Sequence, residues 1–247
     1  MDHRLVPDEL ECLYGPDCSR IEHCRVNRSR YVCYYSRRRG KKKPLPQLGE
    51  LVEADECYIV AGHKGQPDKV RKAGRKPRRR RLKGKRGRGT SASEKNPVFG
   101  MVERGGLVCL QVLPNVQQKT IHPVIESCVA KGATFHTDEY NIYNKLASWG
   151  YAHKTVNHSQ GEYARDEDGD GFYEVHCNTQ EGIWSLLRSW LRPHRGVSQE
   201  KLPFYVGFFE WLHNLRKRGK KAVNETFCLL LKPDLRTYDD CLIISPI

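Results

Sequence analysis

Glu50-Leu51-Val52-Glu53-Ala54-Asp55-Glu56-Cys57-Tyr58-Ile59-Val60-Ala61 is the stretch on which the fold turns. Its side chains alternate: Leu51, Glu53, Asp55 and Cys57 fall on one side of a β-strand, and Val52, Ala54, Glu56 and Tyr58 on the other. Leu51, Cys57 and Ile59 share the face of Asp55, so that face is expected to be largely buried. An acid buried without a partner or a metal is costly, and Asp55 therefore asks for one.

Downstream, 98–103 and 107–113 are β-rich runs flanking Arg104-Gly105-Gly106, which predicts a hairpin. Ile121, Val124, Ile125, Cys128 and Val129 predict a helix over 120–130, stopped by Gly132. Residues 133–137 read as a strand ending at Asp138. Tyr143, Leu146 and Ala147 predict a second helix over 140–149, and 151–156 a fifth strand. A turn-rich acidic loop (160–172) precedes an amphipathic helix from about 179 to 191. Antiparallel strands followed by α/β units is an order that several α/β folds share in part. It predicts an RNase H-like fold, a mixed five-stranded sheet flanked by helices.

The net charge of +14 is unevenly placed. Residues 64–88 hold fourteen Lys or Arg against one acid, Asp68, so the rest of the chain is almost neutral. A strip so dense attracts a polyanion by counterion release, whatever the sequence of that polyanion, and nucleic acid is the expected partner. Phosphate contacts are assigned to Lys69, Arg71, Lys72, Arg75, Lys76, Arg78, Arg79, Arg80, Arg81, Lys83, Lys85, Arg86 and Arg88. The same composition cannot bury apolar surface, so 64–95 is expected to be a disordered insertion. No apolar run is long enough to span a membrane, and 1–11 lacks a signal-peptide core. Cys57, Cys109, Cys128 and Cys228 lie singly in apolar segments, as reduced thiols do. The expected location is cytoplasmic, nucleoid-associated in a bacterium.

Three acids stand where this architecture would gather them: Asp55 within the first strand, Asp138 at the carboxyl end of the fourth, and Glu181 on the first turn of the late helix. Asp138 also suits a helix N-cap, and Glu181 a helix dipole. As a set they suit two divalent ions, which promote phosphoryl transfer by activating the attacking oxygen and stabilising the leaving one. Mg²⁺ keeps several waters, so three carboxylates suffice.

The segments 52–58, Thr137-Asp138-Glu139-Tyr140, Val156-Asn157-His158-Ser159 and His176-Cys177-Asn178-Thr179-Gln180-Glu181-Gly182-Ile183-Trp184 resemble, in order, the signatures of ISXO-type insertion-sequence transposases, relatives of the Merlin group. Residues 208–216, Phe-Phe-Glu-Trp-Leu-His-Asn-Leu-Arg, resemble the family's closing helix. The resemblance covers about 48–218. It implies a catalytic domain over 49–218, a DDE triad at Asp55, Asp138 and Glu181, two Mg²⁺ or Mn²⁺ ions, and His158 as an accessory residue. It also implies transposon-end and target DNA as partners, and a homodimer or higher oligomer in the active complex. The expected activity is DNA strand cleavage and strand transfer. Two alternatives are a truncated or domesticated relative that binds DNA without transposing, and a nonspecific RNase H-like nuclease.

The family's N-terminal module normally carries paired C-x-x-C knuckles. Here the spacing is Cys12-x5-Cys18-x5-Cys24-x8-Cys33, which is no zinc pattern, so 1–48 is expected to be a shortened or degenerate appendage with reduced cysteines and no zinc. Residues 219–247 read as a tail. Asp166-x-Asp168-x-Asp170-Gly171 opens like a calcium loop, but its twelfth position is Cys177 rather than Glu, so a turn is expected. The aromatic stripe over 204–215 has helical period and is read as core.

Overall fold

The alternation read in 51–60 is realised as β1 (Leu51–Val60), the middle strand of a five-stranded sheet. The computed structural model describes residues 45–72, 74 and 87–231, with side chains to 219. The cysteine-bearing appendage and residues 75–86 of the basic strip lie outside the described residues. β2 (Lys95–Glu103) runs antiparallel to β1 and turns through Gly105, at φ 71°, into β3 (Val108–Val112). β4 (Thr134–Asp138) and β5 (Ala152–Val156) are parallel to β1, giving the order β3-β2-β1-β4-β5. An antiparallel hairpin extended by parallel α/β units is the RNase H-like fold.

The helices are α1 (Pro67–Lys72), α2 (Gln118–Cys128), α3 (Asn178–Leu191) and α4 (Leu202–Leu231). One face of the sheet presents Val52, Ala54, Phe99, Met101 and Phe135 to Ile121, Ile125 and Cys128 of α2 and to Tyr143 and Leu146, which together form the main core. α3 covers the other face with Ile183, Trp184 and Leu187. Gly100 pairs with Asp55, and a Cβ there would collide with Gln180 and Trp184, so α3 rests on bare β2 backbone. The absent side chain is what brings the start of α3 close to Asp55.

β3 is an edge strand, and an uncovered edge invites pairing with another chain. Here α4 closes it with polar side chains. Asn214 accepts from Val108 N through Oδ1 (2.8 Å) and donates to Val108 O through Nδ2 (2.7 Å), and Glu210 Oε2 accepts from Leu110 N (3.1 Å). Asn214→Leu leaves two backbone groups dry and unpaired, which predicts a loss of about 2–4 kcal/mol in urea denaturation. A loss below the usual scatter of surface substitutions, about 0.5 kcal/mol, would mean that water reaches this edge.

The described residues differ from expectation in five places. Residues 140–149 form two 3₁₀ turns, Asn141–Lys145 and Ala147–Trp149, instead of one α-helix. Asp138 binds Tyr140 N at one end and Leu146 O takes Tyr151 N at the other, which leaves too short a span for a stable α-helix. The acidic loop contains a small ladder, β6 (Ala164–Arg165) with β7 (Val175–His176), too short for any periodicity to announce. The insertion expected to be disordered over 64–95 holds α1, and Lys64 Nζ ties its start to His194 O (2.8 Å) and Gly196 O (2.7 Å). α4 runs into the expected tail as far as Leu231, interrupted at Gly219 (φ 78°), and Phe204 of its aromatic stripe is exposed while Tyr205, Phe209 and Trp211 are buried.

Candidate active site

In the parallel pairing of β1 with β4, Glu53 lies opposite His136. Two residues further along each strand, on the same face, stand Asp55 and Asp138. Asp55 is held on both oxygens: Oδ1 accepts from Glu56 N (2.7 Å) and Oδ2 from Trp184 Nε1 (2.9 Å). Trp184 lies three residues after Glu181 on α3, so the tryptophan that packs the helix also brings the first turn, with its exposed Glu181, towards Asp55. Asp138 ends β4, and its Oδ1 accepts from Tyr140 N (3.1 Å), so it does cap the following turn.

Asp138 and Glu181 both act on Asp55. Burial pushes Asp55 up to about 6, and the charges of Asp138 and Glu181 add to the rise against the two hydrogen bonds. Asp138 is likewise raised, by burial and then by Glu139, while Tyr140 N, Arg88 and His158 oppose. Among the described residues, the group of three acids with one oxygen each within 4.8 Å of one another is Asp166, Asp168 and Glu174, so the three predicted acids do not all come that close together. Asp166 is engaged by the amides of Gly169 (2.7 Å) and Gly171 (2.9 Å), which makes that segment the turn expected from sequence. A hard divalent cation fits the Asp55 set: the donors are carboxylate oxygens, and a positive charge offsets both their desolvation and their mutual repulsion.

Glu56 faces away from Asp55, as the alternation requires, yet it is no surface residue. Its side chain is 4% exposed, accepts from Tyr143 Oη (3.1 Å), and has Arg88 Nε 3.7 Å away. Burial pushes it up to about 7, with Asp55 and Asp138 adding. Arg88 also lies over the Tyr140 ring at 3.3 Å, so the last cation of the basic strip ends at the acid site. Earlier in the strip, Lys69 is 3.5 Å from Glu200 and Arg71 2.6 Å from Asp68.

His158 opens the 3₁₀ turn after β5. Its backbone N donates to Glu139 Oε2 (3.0 Å), its ring lies 5.4 Å from Tyr163, and it acts on Asp138 by lowering that carboxyl's pKa. Sequence reasoning missed Arg104, which it read as a turn residue. Arg104 Nη2 stands 3.0 Å from Nδ1 of His136, whose pKa is lowered to about 4 by burial and then by Arg104 itself. The ring is therefore neutral at pH 7, with Nδ1 free to accept.

A pH test isolates Asp55. Its folded value of about 6 exceeds the ordinary 3.8, so the native chain holds the proton more tightly than the unfolded chain. This contribution is fully present below pH 4 and lost as pH rises through 6. Asp55→Asn removes the dependence. Measured with a chelator present, the stability of Asp55→Asn minus that of the parent should grow by roughly 2 kcal/mol between pH 4 and pH 7.5. A flat difference would mean that the carboxylate is well solvated.

The family model described as ISXO2-like transposase domain matches residues 47–214. A protein of transposable element ISH50 from Halobacterium salinarum is 35% identical over 188 residues, 75% of this chain and 60% of that protein. The chain thus spans less than two thirds of that relative. A transposase-like protein of Haemophilus influenzae is 26% identical over 103 residues, 42% of this chain and 77% of that one. Two solved structures are loosely similar at 10% identity, each over 69% of this chain. One is the simian T-cell lymphotropic virus intasome with a PP2A regulatory subunit (49% of its chain, TM-score 0.35). The other is the HTLV-2 integrase catalytic core with magnesium (86% of its chain, TM-score 0.34).

Proposed function

The chain belongs to the ISXO2-like transposase family, and from that premise we propose that it cuts DNA at the ends of an insertion sequence and joins the freed 3′ hydroxyl to target DNA. Asp55, Asp138 and Glu181 are the catalytic acids of this reading, and transposon ends and a target duplex its substrates. The observation that carries it is the placement of Asp55 and Asp138 at one level on adjacent parallel strands, with Glu181 on the first turn of α3 and the charges of both other acids felt at Asp55.

Two Mg²⁺ or Mn²⁺ ions bound there would supply activation of the attacking oxygen and charge stabilisation at the leaving one. The protein's part is to hold its ligands before the reaction. Trp184 and the Glu56 amide fix both oxygens of Asp55, and the Tyr140 amide fixes Asp138. Arg88 and the basic strip before it would bring the DNA backbone to this edge, and His158, whose charge acts on Asp138, would attract a phosphate drawn there. A pair of ends must be held together for joining, so the active form is a homodimer or larger.

The test uses the full chain and duplexes carrying the inverted repeats that flank its gene, incubated with a target plasmid in Mg²⁺ or Mn²⁺. The expected products are a nick exposing a 3′ hydroxyl at the repeat and a joined species on the plasmid. Binding without either product in both metals would overturn the reading in favour of a relative that binds DNA without transposing. Cleavage of unrelated duplexes at equal rate, without joining, would leave a nuclease.

A further inference from the structure

Beneath the three acids lies a second polar layer whose members each precede an acid by one or two residues on the same element: Glu53 before Asp55 on β1, His136 before Asp138 on β4, and Thr179 and Gln180 before Glu181 on α3. Glu53 is wholly buried. Its Oε1 accepts from Arg104 Nε (2.7 Å) and Thr179 Oγ1 (2.8 Å), and its Oε2 from Gln180 N (3.0 Å). His176 Nδ1 lies 3.3 Å from the same Oε1. Arg104 reaches on from the β2–β3 turn to His136 Nδ1 (3.0 Å), Glu174 O (2.5 Å) and His176 O (3.0 Å). One guanidinium thus binds β1, β4 and the segment that enters α3.

The first turn of a helix has unpaired amides and a positive dipole end, and a carboxylate satisfies both. The residue before α3, Cys177, makes no side-chain capping bond. Glu53 does that work from another element, 127 residues away from Gln180 in the chain.

We propose that Glu53, held in place by Arg104, is a positioning residue for Glu181: it pins the first turn of α3 to β1 and so sets where Glu181 stands relative to Asp55 and Asp138. This rests on the reading of those three acids as metal ligands. Partners that orient a ligand without touching the ion typically change metal affinity or activity by about 10–100-fold when removed.

The experiment measures Mn²⁺ binding directly, by the paramagnetic resonance signal of the free ion, on the full chain and four variants, one of them Asp55→Asn. Glu53→Gln keeps the shape but loses the charge. Because breaking a buried ion pair can prevent folding, Thr179→Val is made beside it, removing one hydrogen bond and leaving the Glu53–Arg104 pair intact. Thr179→Ser restores the hydroxyl. Expected are Mn²⁺ affinities about 10–100-fold weaker in Glu53→Gln and several-fold weaker in Thr179→Val, with recovery in Thr179→Ser and native circular dichroism throughout the threonine pair. A residue that merely stabilised the fold would change melting temperature and leave the affinity of the folded molecules as it was. Folded Thr179→Val with parental Mn²⁺ affinity overturns the positioning role, provided Asp55→Asn has lost binding. Undiminished Mn²⁺ binding in Asp55→Asn overturns the functional reading beneath it.

Discussion

Asp55→Asn, Asp138→Asn and Glu181→Gln are each expected to reduce strand cleavage by about a thousand-fold or more while leaving duplex affinity close to that of the parent. Each substitution preserves size and removes one negative charge from a site whose task is to hold cations against a reacting phosphate. Metal stabilisation of such a transition state amounts to several kcal/mol, and about 1.4 kcal/mol is tenfold in rate. Duplex affinity should survive because cations elsewhere hold the phosphates. Folding should survive too, since Asp55 is destabilised by burial and by its acidic neighbours. The measurement is single-turnover cleavage of an end duplex in saturating Mg²⁺, with filter binding on the same samples. A variant that cleaves at the parental rate does not carry one of the three acids of the site. Glu56→Gln is the contrasting case: it faces Tyr143 on the other side of β1, and most cleavage should remain. A dead but folded Glu56→Gln would assign catalysis to the wrong face of β1.

Neutralising the basic strip is expected to flatten the salt dependence of DNA binding by several units. The variant replaces Arg75, Lys76, Arg78, Arg79, Arg80, Arg81, Lys83, Lys85 and Arg86 with Gln or Ser and leaves Lys64, Lys69 and Arg88, whose side chains engage the folded body, in place. Every phosphate that is no longer neutralised by a cation lowers the slope of log affinity against log salt by about 0.9 on duplex DNA, so even half of these side chains meeting phosphates predicts a change of about four units. No aromatic residue interrupts residues 64–89, so base stacking should contribute little there and cognate and unrelated duplexes should weaken together. The melting temperature should hardly move. A titration of both duplexes over a range of salt decides. An unchanged slope would reduce the strip to a linker, and selective loss of the cognate duplex would mean that it reads sequence.

What the sequence determined by itself was local order. The alternation of 51–60 predicted a strand with Asp55 on a buried face, the Gly105-Gly106 pair predicted the hairpin, and the apolar spacing of 179–191 predicted the helix that carries Glu181. These are properties of neighbouring residues, and the order of elements then restricted the topology enough to put Asp55 and Asp138 on neighbouring parallel strands. What only the tertiary structure decided was which residues far apart in the chain meet. Arg104 reads as a turn residue, yet it spans from the hairpin to His136 and the entry of α3. Glu53 reads only as a further position on the buried strand face and becomes the cap of a helix that starts more than a hundred residues later. Glu56 was placed on the correct side of β1, but only packing of 140–146 and Arg88 over that side encloses it. Asn214 and Glu210 look like polar positions on an aromatic helix until β3 brings its unpaired edge to them. Periodicity records which way a side chain points; whether water, a hydrogen-bond partner or another charge waits there depends on elements that the chain brings together only when it folds.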